Sequence, residues 1–238
     1  MAGTPQTLDF APNYCHVIEL DITPTEATPT WANALVGITE CAPASDETVD
    51  EDDYYDNFGM DNTNVSKIKP SLAMTGYRRY GDPVQDFVQS KALTTGKDRK
   101  TNYRWTQPDG TFLQGKCSLV DLVPGSSMGE ASAKGDLSYT INLDTVDVIT
   151  IGTDIYTPEA ISAEDVTAIV GTTTAVGAEV TPEGANSKCH YAIEDTSIAT
   201  VDADGNVKGV TAGSTVLTIK AASKPSIVKQ VNVTVSGS

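Results

Sequence analysis

Alternation with a period of two runs through most of this chain, and a helical period shows in one place. Tyr14–Ile22 sets His16, Ile18, Leu20 and Ile22 on one side and Cys15, Val17, Glu19 and Asp21 on the other, the pattern of a half-buried strand. Trp31–Glu40 predicts a second, weaker strand closed by Pro43, and Ser66–Tyr77 a third with Ile68, Leu72 and Met74 in register. The helix follows: Asp82 is a good N-cap, Pro83 suits the first helical position, and Gln85 lies three residues after the cap. Val84, Phe87, Val88 and Ala92 mark its apolar stripe, and Gly96 is the expected stop. Further strands are expected around Thr101–Thr106, Thr111–Val123 and Gly135–Ile149, the first two joined by a turn at Pro108-Asp109-Gly110. In the last of them Leu137, Tyr139, Ile141 and Leu143 face inward.

Near Gly152 the composition changes. Aromatic residues fall away to Tyr156 and Tyr191, while Val, Thr, Ala and Gly dominate. Short strands are expected at Val176–Val180, Cys189–Glu194, Ser197–Val201, Asn206–Val210, Ser214–Ala221 and Ile227–Val235, the spacing of an all-β sandwich. The expected division is therefore a β-sandwich with one flanking helix over residues 1–152, a linker at 153–158 and a second, independently folding sandwich at 159–238. The longest apolar runs, such as Leu119–Val123, fall far short of the roughly 18 residues of a membrane-spanning helix. Residues 1–7 have neither a basic region nor an apolar core, so no secretory signal is expected.

Charge changes the picture in one segment. The chain carries 32 acidic and 16 basic residues, a net −16, which is the wrong sign for gripping nucleic acid. Asp46–Asp61 holds eight acidic residues and no basic one, with Tyr54, Tyr55 and Phe58 embedded. Such a run cannot fold alone, yet an entropic tail gains nothing from three rings. The expectation is a long loop, mobile in the free chain, that orders against a neighbouring subunit through Asp46, Glu47, Asp50, Glu51, Asp52, Asp53, Tyr54, Tyr55 and Phe58.

Candidate chemistry adds little. Gly125-Ser126-Ser127-Met128-Gly129 matches a nucleophile elbow, but that motif needs a helix after it and a downstream acid and histidine. Here the next element is a strand and the only later histidine is His190, so a loop is the better reading. Asp202-Ala203-Asp204-Gly205-Asn206 lacks the remaining ligands of a calcium loop and reads as a tight turn. Cys15-His16 and Cys189-His190 cannot clamp one metal, because neighbours on a strand point to opposite faces. Cys15, Cys41, Cys117 and Cys189 have no CxxC spacing and read as scattered free thiols. No enzyme activity, cofactor or metal is expected.

Two resemblances bear on function. Asp195-Thr196-Ser197-Ile198-Ala199-Thr200-Val201, Asp204-Gly205-Asn206-Val207, Val210–Ile219 and Val231-Asn232-Val233-Thr234-Val235 resemble the group 2 bacterial immunoglobulin-like domain. One departure is Cys189-His190-Tyr191, where that family often carries tryptophan. The first 150 residues resemble a siphophage major tail tube protein, most closely at Leu72–Tyr77 and at Asp82-Pro83-Val84-Gln85-Asp86-Phe87. The likeness implies hexameric rings stacked into a tube that conducts DNA. The composition break and the Gly/Thr/Pro-containing linker suggest independent folding, so the C-terminal domain is expected to decorate the outside and be dispensable for assembly. The likeness implies as partners further copies of the chain and tape measure, tail terminator and baseplate proteins. It places the protein in the virion tail, and in the host cytoplasm during assembly. Double-stranded DNA would pass without specific binding, and weak contact with cell-surface glycans is open to the C-terminal domain. Of the charge, −12 lies in the first 155 residues and −4 in the other 83. Alternation puts Glu19 and Asp21 on one sheet face, so they are the expected lumen-facing charges.

Rival readings stay open. A surface adhesin also carries immunoglobulin-like domains, but it wants a signal and an anchor. A carbohydrate-active enzyme wants paired carboxylates in an aromatic cleft, and only Trp31 and Trp105 are available. A virion decoration or baseplate protein is the nearest alternative.

Overall fold

A computed structural model describes residues 7, 11–53, 61–125, 130–154 and 156–237. In chain order the elements are β1 (Val17–Asp21), β2 (Trp31–Asn33), β3 (Ile38–Asp53), β4 (Asp61–Tyr77), α1 (Pro83–Ser90), β5 (Lys100–Thr106), β6 (Phe112–Val120), β7 (Asp136–Leu143) and β8 (Val148–Thr150). There follow β9 (Ala160–Ser162), β10 (Val166–Ile169), β11 (Thr173–Ala175), β12 (Glu179–Thr181), β13 (Cys189–Ile193), β14 (Ala199–Val201), β15 (Asn206–Gly209), β16 (Gly213–Ala221) and β17 (Val228–Ser236). The fold is mostly β with one α-helix among the described residues, as the periodicity indicated. Two compact units form: one from Met1–Leu35, Arg104–Gln114 and Val148–Ser238, the other from Val36–Tyr103 and Gly115–Asp147. The contacts thus group the first strands with the C-terminal residues.

In the second of these units the strand order is β6-β7-β4-β3, all antiparallel. Inward positions alternate as expected, with Leu72 and Met74, Cys117 and Leu119, and Leu137, Tyr139 and Ile141 all buried. Asp82 caps α1 by accepting from the Gln85 N–H at 3.0 Å, and Pro83 opens the helix. Val84 and Val88 are fully buried, whereas Phe87 is only partly so. The helix ends at Ser90 with Lys91 as its C-cap, well before Gly96, which instead opens a short 3-10 turn at Gly96–Arg99. Gln85 does not reach back to the cap. Its amide is buried, donates to the Val36 and Tyr77 carbonyls, and accepts from the Arg79 N–H. One side chain therefore ties α1 to the chain entering β3 and leaving β4.

In the first unit the order is β2-β1-β5-β6, with β8 also paired to β6. The turn between β5 and β6 is at Pro108-Asp109-Gly110, closed by Gly110 N–H to Gln107 O and Gln107 N–H to Thr111 O. Residues 160–236 form a four-stranded sheet, β10-β17-β16-β13, a three-stranded sheet, β11-β15-β14, and the pair β12-β9. Val166, Ala168, Val207, Leu217, Ile219, Val231, Val233 and Val235 alternate into one shared core. Strands β9 and β10 were not expected, since Ala160–Ile169 is too short and mixed to show a period. The expected strand at Val176–Val180 is met only at its end, where Glu179 and Val180 belong to β12, while Val176–Ala178 link β11 to it. The segment after β8 is held down: Gly152 N–H donates to Thr111 Oγ1 and Asp154 N–H to Asp109 O. A Cβ at Gly152 would come within 2.0 Å of the Asp109 carbonyl oxygen, so only glycine permits that approach.

Replacing Gln85 with Leu should leave the Val36 and Tyr77 carbonyls and the Arg79 N–H without these bonds, at a cost of about 2–3 kcal/mol. Asp82→Ala, which removes only a cap, should cost about 1 kcal/mol. Urea unfolding of the two variants would check the ranking, and equal losses would contradict it.

Candidate functional site

The acidic run is not the loop that its charge implied. Asp46–Asp53 continues β3 and pairs residue by residue with β4, through Asp46↔Lys69 and Glu47↔Ile68 out to Asp53↔Asp61. High charge density reads as solvated chain, but the sequence pattern hides the partner strand that supplies backbone bonds and two lysines. Asp52 and Asp53 pair with Asn62 and Asp61 through the backbone, while Tyr54, Tyr55 and Phe58 lie outside the described residues.

Strand β4 has a neighbour on both sides only over Ser71–Tyr77, where β7 pairs with it. The β7 ladder stops at Ser71, beside Pro70, which has no N–H to extend it. Beyond that point β3 and β4 form a two-stranded arm, and the described side chains of 42–51 and 63–69 are all exposed. Roughly 30 Å of strand extends from Ser45 to Asp53 at about 3.3 Å per residue. β3 is also the edge of its sheet in this unit. Pro43, Asp46, Glu47, Asp50 and Glu51 are the residue types that blunt such an edge.

The arm has two unlike faces. Register shifts between Thr48 and Val49, so that Ser66 is an extra residue on β4, and Val49 stands directly opposite Val65. One face then carries Glu47, Val49 and Glu51 with Ile68, Val65 and Thr63. The other carries Asp46, Thr48 and Asp50 with Lys69, Lys67 and Asn64. Acid and base balance on the second face. The first is apolar and acidic, and Val49, Val65 and Ile68 are 42%, 47% and 64% exposed.

Glu19 and Asp21, the expected lumen-facing charges, are buried at 2% and 1% exposure within the first unit. All five residues of β1 are buried, so this strand is covered on both faces and alternation misreads it. Asp21 Oδ1 accepts from the Thr23 and Thr30 N–H groups and closes the β1–β2 connection. Glu19 is paired with Lys188 Nζ at 2.9 Å, and Lys188 lies 3.7 Å from Asp204, which Arg104 holds at 3.1 Å. The Arg104 guanidinium sits 4.1 Å above the Trp31 ring, a cation–π contact. Burial holds the Glu19 carboxyl above its ordinary value, and Lys188 offsets only part of that rise. Neither acid therefore presents charge to a channel.

Sequence reasoning missed Lys188, Arg104 and Asp204. Lys188 did carry a signal, being the lone basic residue between Lys134 and Lys208 in a valine- and threonine-rich stretch. Asp204 sits in the expected turn, where Asp202 Oδ1 accepts from the Asp204 and Asn206 N–H groups. A cleft of about 440 Å³ opens beside these residues, lined also by Phe112, Asp154, Asn186 and Tyr191. Its charges already neutralise one another. Burial pushes Tyr191 up to about 12 and lowers His190, and His16 Nδ1 accepts from Trp105 Nε1. Among the described residues no group of His, Cys, Asp and Glu is placed to hold a metal ion. The four cysteines form no disulfide.

Lys188→Met should cost about 3 kcal/mol at neutral pH, because Glu19 keeps its burial and loses its cation. Folding in that variant raises the carboxyl's pKa further, so the penalty is present when Glu19 is ionised and fades as acid protonates it. Glu19→Gln combined with Lys188→Met should recover most of the loss. Urea midpoints across pH 4 to 8 would test this, and a double variant as unstable as Lys188→Met would contradict it.

No curated protein matches the chain in sequence. The tail of an empty gene transfer agent particle, determined with helical refinement in C6 symmetry, is similar at TM-score 0.48 and 10% identity. That match covers 59% of this chain and 98% of the other. A chain of the native gene transfer agent virion is similar at TM-score 0.47 and 10% identity, over 59% and 98% of the two chains. The cap that terminates the anti-feeding prophage tube is similar at 0.40 and 14%, over 64% and 98%. In family terms, residues 155–235 match the bacterial Ig-like domain of group 2, so the chain carries that domain at its C-terminal end.

Proposed function

We propose that this chain is a structural protein of a phage virion, polymerising as stacked hexameric rings into the tail tube that conducts DNA into the host. In this reading residues 1–152 build the wall, 153–158 connect, and 159–238 decorate the exterior. The observation that carries it is the two-stranded arm. A ribbon without a second layer is marginal in water, and this one exposes three large aliphatic side chains along one face. It gains stability by lying on another subunit. Asp46, Glu47, Asp50, Glu51, Asp52 and Asp53, with Tyr54, Tyr55 and Phe58, are the proposed contact residues. The resemblance read from Leu72–Phe87 supports the same reading. So does the acidic surplus of the first 155 residues, which would let double-stranded DNA slide without being gripped, although Glu19 and Asp21 are not its source. Tape measure, terminator and baseplate proteins are the proposed partners beyond the chain itself, with assembly in the host cytoplasm.

The match at residues 155–235 is the observation that favours a second reading, a surface adhesin or virion decoration protein, for which weak glycan contact would matter.

Negative-stain microscopy of the purified chain should show hollow tubes or rings. Stable monomers at every salt and protein concentration would sink the tube reading and leave the decoration reading standing. Replacing Tyr54, Tyr55 and Phe58 together with Ser should block polymerisation while the urea midpoint stays unchanged. Deletion of 158–238 should leave tubes intact. Because Lys188 compensates Glu19, that truncation belongs in a Glu19→Gln background. A folded, soluble truncation that no longer assembles would contradict an exterior, dispensable domain.

A further inference from the structure

The segment that follows α1 is the reverse of the arm in charge. Residues 91–100 hold Lys91, Lys97, Arg99 and Lys100 against Asp98 alone, in a chain of net −16. Residues 45–70 hold eight acids against Lys67 and Lys69. Arg99 is spent on structure: its guanidinium donates to the Ala92 carbonyl at 2.8 Å and to the Thr94 carbonyl at 2.7 Å, folding the chain back just after the helix. That fold presents Leu93, 86% exposed, at the tip of the turn. Lys91 stands two positions before it, with its ammonium 5.1 Å above the Phe87 ring, and Lys97 four positions after it, exposed. Lys97 has no ion pair among the described residues. The result is an apolar centre rimmed by lysines.

The apolar face of the arm is its complement: Val49, Val65 and Ile68 flanked by Glu47 and Glu51. We propose that this face of the arm docks on the Leu93 turn of a second copy of the chain, with Glu47 and Glu51 against Lys91 and Lys97. The inference rests on the tube reading and names the receiving surface for its arm. Apolar contact supplies affinity, and the paired charges fix which edge of the arm faces which lysine. The balanced face, with Asp46 opposite Lys69, would be poorly matched to the same turn, so the charge pattern also selects which side of the arm docks.

The test uses the whole chain, mixed from two isotopically labelled preparations at assembling concentration. A zero-length carbodiimide joins carboxylates to amines in contact, and mass spectrometry separates links within one copy from links between two. Links between copies should join Glu47 or Glu51 to Lys91 or Lys97. Lys97→Glu should raise the concentration needed for assembly about tenfold, which corresponds to about 1.4 kcal/mol. Glu51→Lys in the same chain should restore it, with urea midpoints unchanged throughout. If tubes form with the arm carboxylates linked elsewhere, and Lys97→Glu assembles like the wild type, the inference falls while the tube reading survives. If the wild type never associates, both fall.

Discussion

Strand β4 is paired on both sides over Ser71–Tyr77 and on one side only from Pro70 outward, and the exposed character of the arm follows from that change. Where β7 is present, alternate residues such as Leu72 and Met74 go into a core. Where it is absent, the alternation runs on into water, stepped by the extra residue Ser66, and Ile68 and Val65 stay exposed. A ribbon of two strands pairs only about half of its backbone polar groups across its ladder and buries little, so its folded form gains from any surface that covers it. The acidic side chains suit this condition. They blunt the free edge of β3 against indiscriminate pairing and leave it available to a surface of the opposite charge.

A second constraint operates in the other unit. Glu19 cannot be ionised and buried without a cation, and the cation comes from Lys188, far along the chain. Arg104 and Asp204 extend the arrangement, so that the first strand, the β5–β6 hairpin and the immunoglobulin-like residues are linked by charge as well as by the pinned segment at Gly152 and Asp154. Matching the bacterial Ig-like domain therefore does not make the C-terminal residues a loosely tethered appendage, and its removal changes the electrostatics of β1.

Local rules were legible where local chemistry decides. The cap at Asp82, Pro83 at the first helical position, the turn at Pro108–Gly110 and the alternation of Leu137–Leu143 all follow from neighbours in sequence. The misreadings arose where a distant residue decides. Glu19 and Asp21 alternate like surface acids, but Lys188 and the Thr23 and Thr30 amides make burial tolerable. Asp46–Asp53 looks like solvated chain, but β4 lies beside it. Gly96 looked like the helix stop, yet the Arg99 bonds to Ala92 and Thr94 had already turned the chain. The candidate site was thus legible as a segment and as a charge, though not as a strand with two unlike faces.

Hydrogen exchange read along the arm tests the central claim most directly. If the arm is a marginal ribbon completed by a neighbouring subunit, the amides of 46–53 and 61–69 exchange fast in the free chain and become strongly protected on assembly, while those of Ser71–Tyr77 are protected in both. Equal, fast exchange of the arm before and after assembly would contradict the account and reduce the acidic ribbon to a solvated excursion of the sheet.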